Sequence, residues 1–169
     1  MVKKIIISKK GVDIGNQKIG HVVGHFNHIE RLLKLLLIFY IEPSGTKKEF
    51  VEEILLNNSI LNFSSKLKLF LNINQEEKWL KGKNLDEFNK NILSLNNIRN
   101  SFAHAEIKIY VPAERGKNGE PITHYIVDNF KNDGTFKEHI ADELIIEFNN
   151  KYFSVEQTIL RILHQLDKQ

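Results

Sequence analysis

The sequence contains no cysteine among its 169 residues. This absence excludes a disulfide framework and any metal site built on thiolates, and nothing in the composition indicates an oxidising compartment. Basic N-terminal residues precede the apolar run Ile5-Ile6-Ile7, but this run is too short for a signal peptide and no small-residue cleavage site follows it. We therefore expect a cytoplasmic protein.

Long apolar runs and phosphate-binding glycine loops are missing as well. The longest apolar run, Leu35 to Ile41, is far shorter than the ~20 residues of a membrane-spanning helix. The N-terminal glycines, at positions 11, 15, 20 and 24, match neither a P-loop nor a dinucleotide-binding fingerprint. No serine lies in a nucleophile-elbow motif. We expect no membrane association and no cofactor.

The net charge is small, at +3 with a sequence pI near 9.0. A weakly basic protein can bind an anionic partner such as RNA, but this charge does not require one.

Apolar residues recur every three or four positions in five stretches of the sequence, which predicts five amphipathic helices. The predicted helices cover residues 19–41, 46–56, 64–71 and 84–104, and a final stretch from about residue 141. Residues 1–15 are predicted to be strand-like or frayed. We expect a single, mainly α-helical domain over residues 1–169.

Between residues 106 and 138 the spacing of apolar residues changes from about 3.6 to two. Such alternation is typical of half-buried strands. Asn118-Gly119 and Asp133-Gly134 are turn signals. The sequence therefore predicts a β-hairpin or three-stranded meander inserted before the last helix.

A polar strip lies on the fourth predicted helix. It consists of Asn96, Asn100 and His104, which are spaced by four, and Arg99 lies beside them. Amide, imidazole and guanidinium groups together can bind a phosphate and move protons. The plainer interpretation is an ordinary exposed arginine and a histidine at a helix C-terminus, where a cation interacts well with the helix dipole.

A second cluster lies on the first predicted helix, where His21, His25 and His28 share one side. Three imidazoles at this spacing suggest a zinc or nickel site, although no acidic ligand is placed to complete it and Glu30 is only nearby in sequence. Two alternatives stay open: the histidines line a groove or a dimer interface, or they form a solvated polar face.

The segment Ile98-Arg99-Asn100-Ser101-Phe102-Ala103-His104 resembles the signature of the HEPN superfamily (higher eukaryotes and prokaryotes nucleotide-binding). That signature is an arginine and a histidine separated by four to six residues, often with a polar residue after the arginine. The order of predicted helices over residues 20–168 is also similar to this family, including members like the mannitol operon regulator. The resemblance implies an up-and-down helical bundle.

Many members of this superfamily are metal-independent endoribonucleases that act as toxins, in phage defence or in RNA processing. The resemblance implies that Arg99 and His104 are catalytic, with Asn100 as their polar companion, and that RNA is the substrate. From the polar strip we further expect Asn100, with Asn96, to orient His104 or a ribose. Some members are regulated by an antitoxin that modifies a tyrosine two residues after the histidine, a position that Glu106 occupies here. The alternative is a non-catalytic regulator that binds RNA, a nucleotide or a partner protein.

The spacing of Arg99 and His104 has a consequence for the oligomeric state. Five residues turn two side chains ~140° apart on an ideal helix and separate them by ~7.5 Å along its axis. One protomer is therefore an awkward catalyst, whereas a two-fold dimer places two histidines and two arginines in one cleft. We expect a homodimer.

Overall fold

The computed structural model describes residues 9–104, 107–110, 123–130 and 136–168. Helices account for most of these residues. They are α1 (Lys9–Ile41), α2 (Thr46–Glu49), which continues as a π-helical segment over Phe50–Leu55, α3 (Phe63–Glu77), α4 (Gly82–His104) and α5 (Ala141–Leu166). The expected mainly α-helical fold, with a small sheet before the last helix, is confirmed. In the described ranges, no helix combines the length and the apolarity that crossing a bilayer requires.

Helix α1 begins ten residues earlier than the periodicity of apolar side chains predicts. Residues 9–15 are helical, so the prediction of a strand-like or frayed start is wrong for them, and residues 1–8 lie outside the described part of the chain. The buried positions here are Gly11 and Gly15, which continue the face of Val22 and Phe26 at helical spacing. Glycine is a weak helix former and has no apolar side chain, so this part of the face is invisible in a hydrophobic pattern.

The insert before α5 is a three-stranded antiparallel sheet with the strand order β1-β2-β3. Its strands are β1 (Ile107–Tyr110), β2 (His124–Phe130) and β3 (Phe136–Ile140). Ile107 is opposite Val127, and Ile126 is opposite Ile140. The meander alternative is therefore confirmed, while the predicted turns at Asn118-Gly119 and Asp133-Gly134 lie outside the described residues.

The chain divides into two compact units, each built from two stretches of sequence. The first unit comprises the described residues of Met1–Phe26 and Leu93–Lys151, and the second those of Asn27–Ile92 and Tyr152–Gln169. Both units take residues from the same three helices, α1, α4 and α5. The expectation of a single domain over residues 1–169 stays a prediction.

Both units contain buried apolar side chains. In the first unit they include residues of α1, α4, β2 and α5: Val22, Phe26, Leu95, Ile98, Phe102, Tyr125, Val127 and Phe148. In the second unit, the largest come from α1, α3, α4 and α5: Leu33, Leu36, Leu37, Phe70, Phe88, Ile92 and Tyr152. Burial of this apolar area is the main term that stabilises each unit.

The connection from α3 to α4 is held by a buried amide. Helix α3 ends at Lys78, whose φ of 56° is left-handed and whose N–H donates to the Asn74 carbonyl at 2.9 Å. The Asn74 side chain then accepts from Leu80 N–H at 2.8 Å and donates to the Leu80 carbonyl at 3.0 Å. Asn74 is 2% exposed, so both backbone groups of Leu80 depend on it for their hydrogen bonds.

We expect Asn74→Ala to lower the free energy of unfolding by about 3 kcal/mol, because it leaves two buried backbone groups without partners. Urea denaturation measures this difference. Asn72→Ala, at an exposed position on the same helix, is the matched control and should change stability little. If the two substitutions change the free energy of unfolding equally, the hydrogen bonds between Asn74 and Leu80 contribute nothing to stability.

Candidate functional site

The candidate site lies on the last two turns of α4, within the first unit. Ile98 and Phe102 are buried and fix this part of the helix in the core. Ser101 is also buried, and its hydroxyl donates to the Asn97 carbonyl at 3.0 Å. The side chains between these anchors are therefore presented from a rigid helix rather than from a loop.

Arg99 is half-buried and rests on an aromatic ring from α1. Its guanidinium carbon lies 5.7 Å from the centroid of Phe26. This cation–π contact contributes about 1 kcal/mol and helps to hold the guanidinium in place. Phe26 is thus a part of the site that the sequence pattern identified only as a core residue.

Among the described residues, Arg99 has a single hydrogen-bond acceptor. Nη1 donates to Asn100 Oδ1 at 3.0 Å. Nε is buried and has no hydrogen-bond partner among the described residues. A guanidinium has five N–H donors in a fixed fork that matches the oxygens of a phosphate. Arg99 is therefore held in place while retaining donors for an anion.

Asn100 is half-buried and accepts a hydrogen bond from Arg99. Because an arginine side chain can only donate, the Asn100 atom facing it is the carbonyl oxygen, and the NH₂ group is left to donate elsewhere. The sequence predicted that Asn100, with Asn96, orients His104 or a ribose. The hydrogen bond is to Arg99 instead. Asn96 lies one turn earlier on α4 and is also half-buried.

His104 is the last residue of α4, and its side chain is exposed. Because α4 is helical through both residues, Arg99 and His104 keep the ~140° and ~7.5 Å of helical spacing. The helix thus offers a fixed cation and an accessible imidazole on different sides of its end.

His21 and His25 contact each other on α1, with ring centroids 4.3 Å apart, and His28 has a partner on α5. His21 Nε2 lies 2.9 Å from Asn149 Oδ1, and His25 Nδ1 lies 2.8 Å from the His21 carbonyl. His28 Nε2 lies 3.2 Å from Glu156 Oε1. Among the described residues, no group of three or more histidine, aspartate or glutamate side chains is arranged to hold a metal ion. The alternative zinc or nickel site at these positions therefore gains no support from the geometry.

Glu30, the acidic residue expected beside these histidines, has a different partner. Its Oε1 lies 3.1 Å from Nζ of Lys66, which is buried in α3. Lys66 was not among the residues predicted for a functional site. A signal was present, however, because Lys66 precedes the buried residues Phe70 and Ile73 at helical spacing and so falls on the core-facing side of α3.

Compared with the models of known protein families, with curated proteins and with solved structures, the chain shows no significant match. The resemblance to the HEPN superfamily therefore rests on the signature from Arg99 to His104 and on the order of the helices. What the site does has to be argued from its own residues.

Proposed function

We propose that this protein is a metal-independent endoribonuclease of the HEPN type and that Arg99 and His104 form its catalytic pair. The observation that carries the proposal is Arg99 itself. It is a guanidinium fixed by Phe26 and Asn100, it keeps unused donors, and it lies five residues from an exposed histidine. A rigid cation and an accessible imidazole near one end of a helix are the groups that metal-independent phosphoryl chemistry uses, and a second copy of the helix would bring them together.

Cleavage of RNA without a metal needs three contributions. A base removes the proton of the 2′-hydroxyl, a cation stabilises the charge that develops on the phosphate, and an acid protonates the departing 5′-oxygen. In our proposal Arg99 binds the scissile phosphate and His104 transfers protons. The free NH₂ of Asn100 donates a further hydrogen bond to a phosphate or ribose oxygen, and Asn96 extends this polar surface.

One histidine cannot be base and acid in the same step, so the proposal includes a homodimer. Two copies of α4 would supply two imidazoles and two guanidinium groups to one cleft. Exposed apolar side chains on α5 are available for self-association: Ile146, Phe153 and Leu160 follow one another at intervals of seven, and the first two are 62% and 61% exposed. An interval of seven keeps side chains on one helix face, and this row is the apolar seam that a second chain would cover.

We expect the wild-type protein to have twice the chain mass of 19.7 kDa in light scattering. The double substitution Ile146→Asp and Phe153→Asp should give the monomer mass and lose cleavage activity, because it places two charges in the apolar seam. The control is Ile60→Asp, at another exposed apolar position, which should stay dimeric and active. A wild-type protein that is monomeric at assay concentration contradicts the composite site.

The direct test of the function is an RNA cleavage assay with purified protein in excess EDTA. We expect single-stranded RNA to be cut under these conditions, because no step of the proposed reaction requires a metal. RNA that stays intact under these conditions, with correctly folded dimeric protein, would overturn the proposal.

The second candidate function is a non-catalytic regulator that binds RNA, a nucleotide or a partner protein through the same surface. One observation favours it: Arg99 is packed on Phe26 and hydrogen-bonded to its neighbour, as a structural arginine also is. Induced expression discriminates the two candidates. A nuclease toxin should arrest growth unless Arg99 is replaced by alanine or an antitoxin is co-expressed, whereas a regulator should be harmless and co-purify with its partner.

A further inference from the structure

A polar pocket of about 340 Å³ lies in the second unit, and none of its residues belongs to the Arg99–His104 signature. The side chains that matter for its chemistry come from α1, from the turn before α3 and from α3 itself: Glu30, Arg31, Lys34, Asn57, Asn58 and Lys66. This volume is at the lower end of the range of small-molecule sites.

Lys66 gives the pocket a buried positive charge. The residue is 2% exposed, its Nζ lies 3.1 Å from Glu30 Oε1, and it also donates to Asn58 Oδ1. An ammonium group has three N–H donors, and these contacts use two of them. Lys66 also lines the pocket, and none of the described residues is recorded as accepting from its third donor.

The pocket asparagines, Asn57 and Asn58, have amide donors rather than acceptors left for a ligand. Asn58 Oδ1 accepts from Lys66, and Asn57 Oδ1 accepts from both the N–H and the hydroxyl of Ser59 at 3.0 Å. The lysine ammonium and the Ser59 N–H can only donate, so these contacts fix the orientation of each amide. The NH₂ groups of Asn57 and Asn58 are therefore the parts left for a ligand.

Arg31 is positioned by a chain of hydrogen bonds within the second unit. Its Nη2 donates to His28 Nδ1 at 2.7 Å. Because Arg31 can only donate, Nδ1 is an acceptor and the ring proton is on Nε2, which faces Glu156 at 3.2 Å. Glu156 also accepts from the Tyr152 hydroxyl at 2.6 Å. Burial, and then this hydrogen bond, raise the pKa of Tyr152, so its hydroxyl stays a donor.

The charges around the pocket do not cancel. Arg31, Lys34 and Lys66 are positive, whereas Glu30 is the one acidic residue in the lining and is already paired with Lys66. Two positive charges therefore remain. A concave surface with this excess and with several free N–H donors favours a ligand that is anionic and rich in acceptors.

We propose that this pocket binds the terminal phosphate of a small phosphate monoester. A monoester carries up to two negative charges, which matches Arg31 and Lys34, and its three terminal oxygens can accept from the Lys66, Asn57 and Asn58 donors. A backbone phosphodiester carries one negative charge and has two free oxygens, so it matches the pocket less well.

Inorganic phosphate is the probe for this proposal, titrated calorimetrically at constant ionic strength with chloride as the balancing anion. We expect saturable binding to the wild-type protein at one site per chain. Arg31→Gln and Lys34→Gln should each weaken it about tenfold, because each removes one charge-assisted hydrogen bond. Lys68→Gln is the matched control: it removes a positive charge from an exposed position on α3 outside the pocket and should leave the affinity unchanged.

The phosphate bound by this pocket could instead belong to the backbone of a nucleic acid. A 2′-O-methylated oligoribonucleotide without a terminal phosphate resists cleavage and serves as the second probe. If it binds through Arg31 and Lys34 while inorganic phosphate does not bind, the pocket is a backbone contact and the proposal is wrong. Phosphate binding that is equal in wild-type, Arg31→Gln and Lys34→Gln proteins also overturns it. Neither outcome depends on the Arg99–His104 activity.

Discussion

Replacing His104 by alanine should reduce the rate of RNA cleavage in EDTA by at least about 100-fold, since general acid–base catalysis typically contributes factors of this size or more. The fold should be unaffected. His104 is exposed at the last position of α4, so its truncation leaves no cavity and no buried polar group. Circular dichroism and the midpoint of urea denaturation check the fold, and single-turnover kinetics check the chemistry.

His164→Ala is the control for this substitution. His164 is also exposed and also lies in the last turn of its helix, α5, but outside the signature. It should keep the wild-type rate. If His104→Ala cuts RNA as fast as His164→Ala, a histidine at this position has no role in catalysis and the proposed mechanism is wrong.

Replacing Arg99 by lysine should also reduce cleavage about 100-fold, although the positive charge is kept. Lysine lacks the planar fork that binds two phosphate oxygens at once, and its ammonium cannot reproduce the fixed placement of the guanidinium over Phe26 and against Asn100. The loss should appear in the rate of the chemical step, because the arginine acts most strongly on the charge of the transition state.

A purely structural arginine gives a different result. It would lower the stability of the Arg99→Lys protein by about 1 kcal/mol through the lost contact with Phe26 and leave the rate per folded molecule unchanged. Arg161→Lys, at an exposed position on α5, is the control for the change of residue type. Measuring stability and single-turnover rate on the same preparations separates the two roles of Arg99.

Helices α4 and α5 and the sheet between them could be predicted because each has a clear apolar period. In α4 the buried residues Phe88, Ile92, Leu95, Ile98 and Phe102 recur at helical spacing. In the insert, the change in the spacing of apolar residues from about 3.6 to two predicted the strands. The start of α1 could not be found in this way, since glycines occupy the buried positions there, and nothing in a hydrophobic pattern marks a glycine as buried.

The candidate site was predicted as a linear motif, and its supporting contacts were not. Phe26 lies 73 positions before Arg99, so no spacing rule connects them, and the contact arises only when α1 and α4 pack in the first unit. The pairing of Lys66 with Glu30 is of the same kind. Local patterns therefore indicated which residues are candidates, while tertiary packing decides which groups hold them in position.

The measurement that tests the central proposal most directly uses an RNA oligonucleotide in which one cleaved position carries a 2′-deoxyribose. In excess EDTA, we expect the wild-type protein to cut the normal positions, leaving 2′,3′-cyclic phosphate and 5′-hydroxyl ends, and to leave the deoxy position intact. The 2′-hydroxyl is the nucleophile in the proposed reaction, so its removal abolishes cleavage there. Equal cutting at the deoxy position, or no cutting anywhere, would contradict the assignment of Arg99 and His104 as a ribonuclease site.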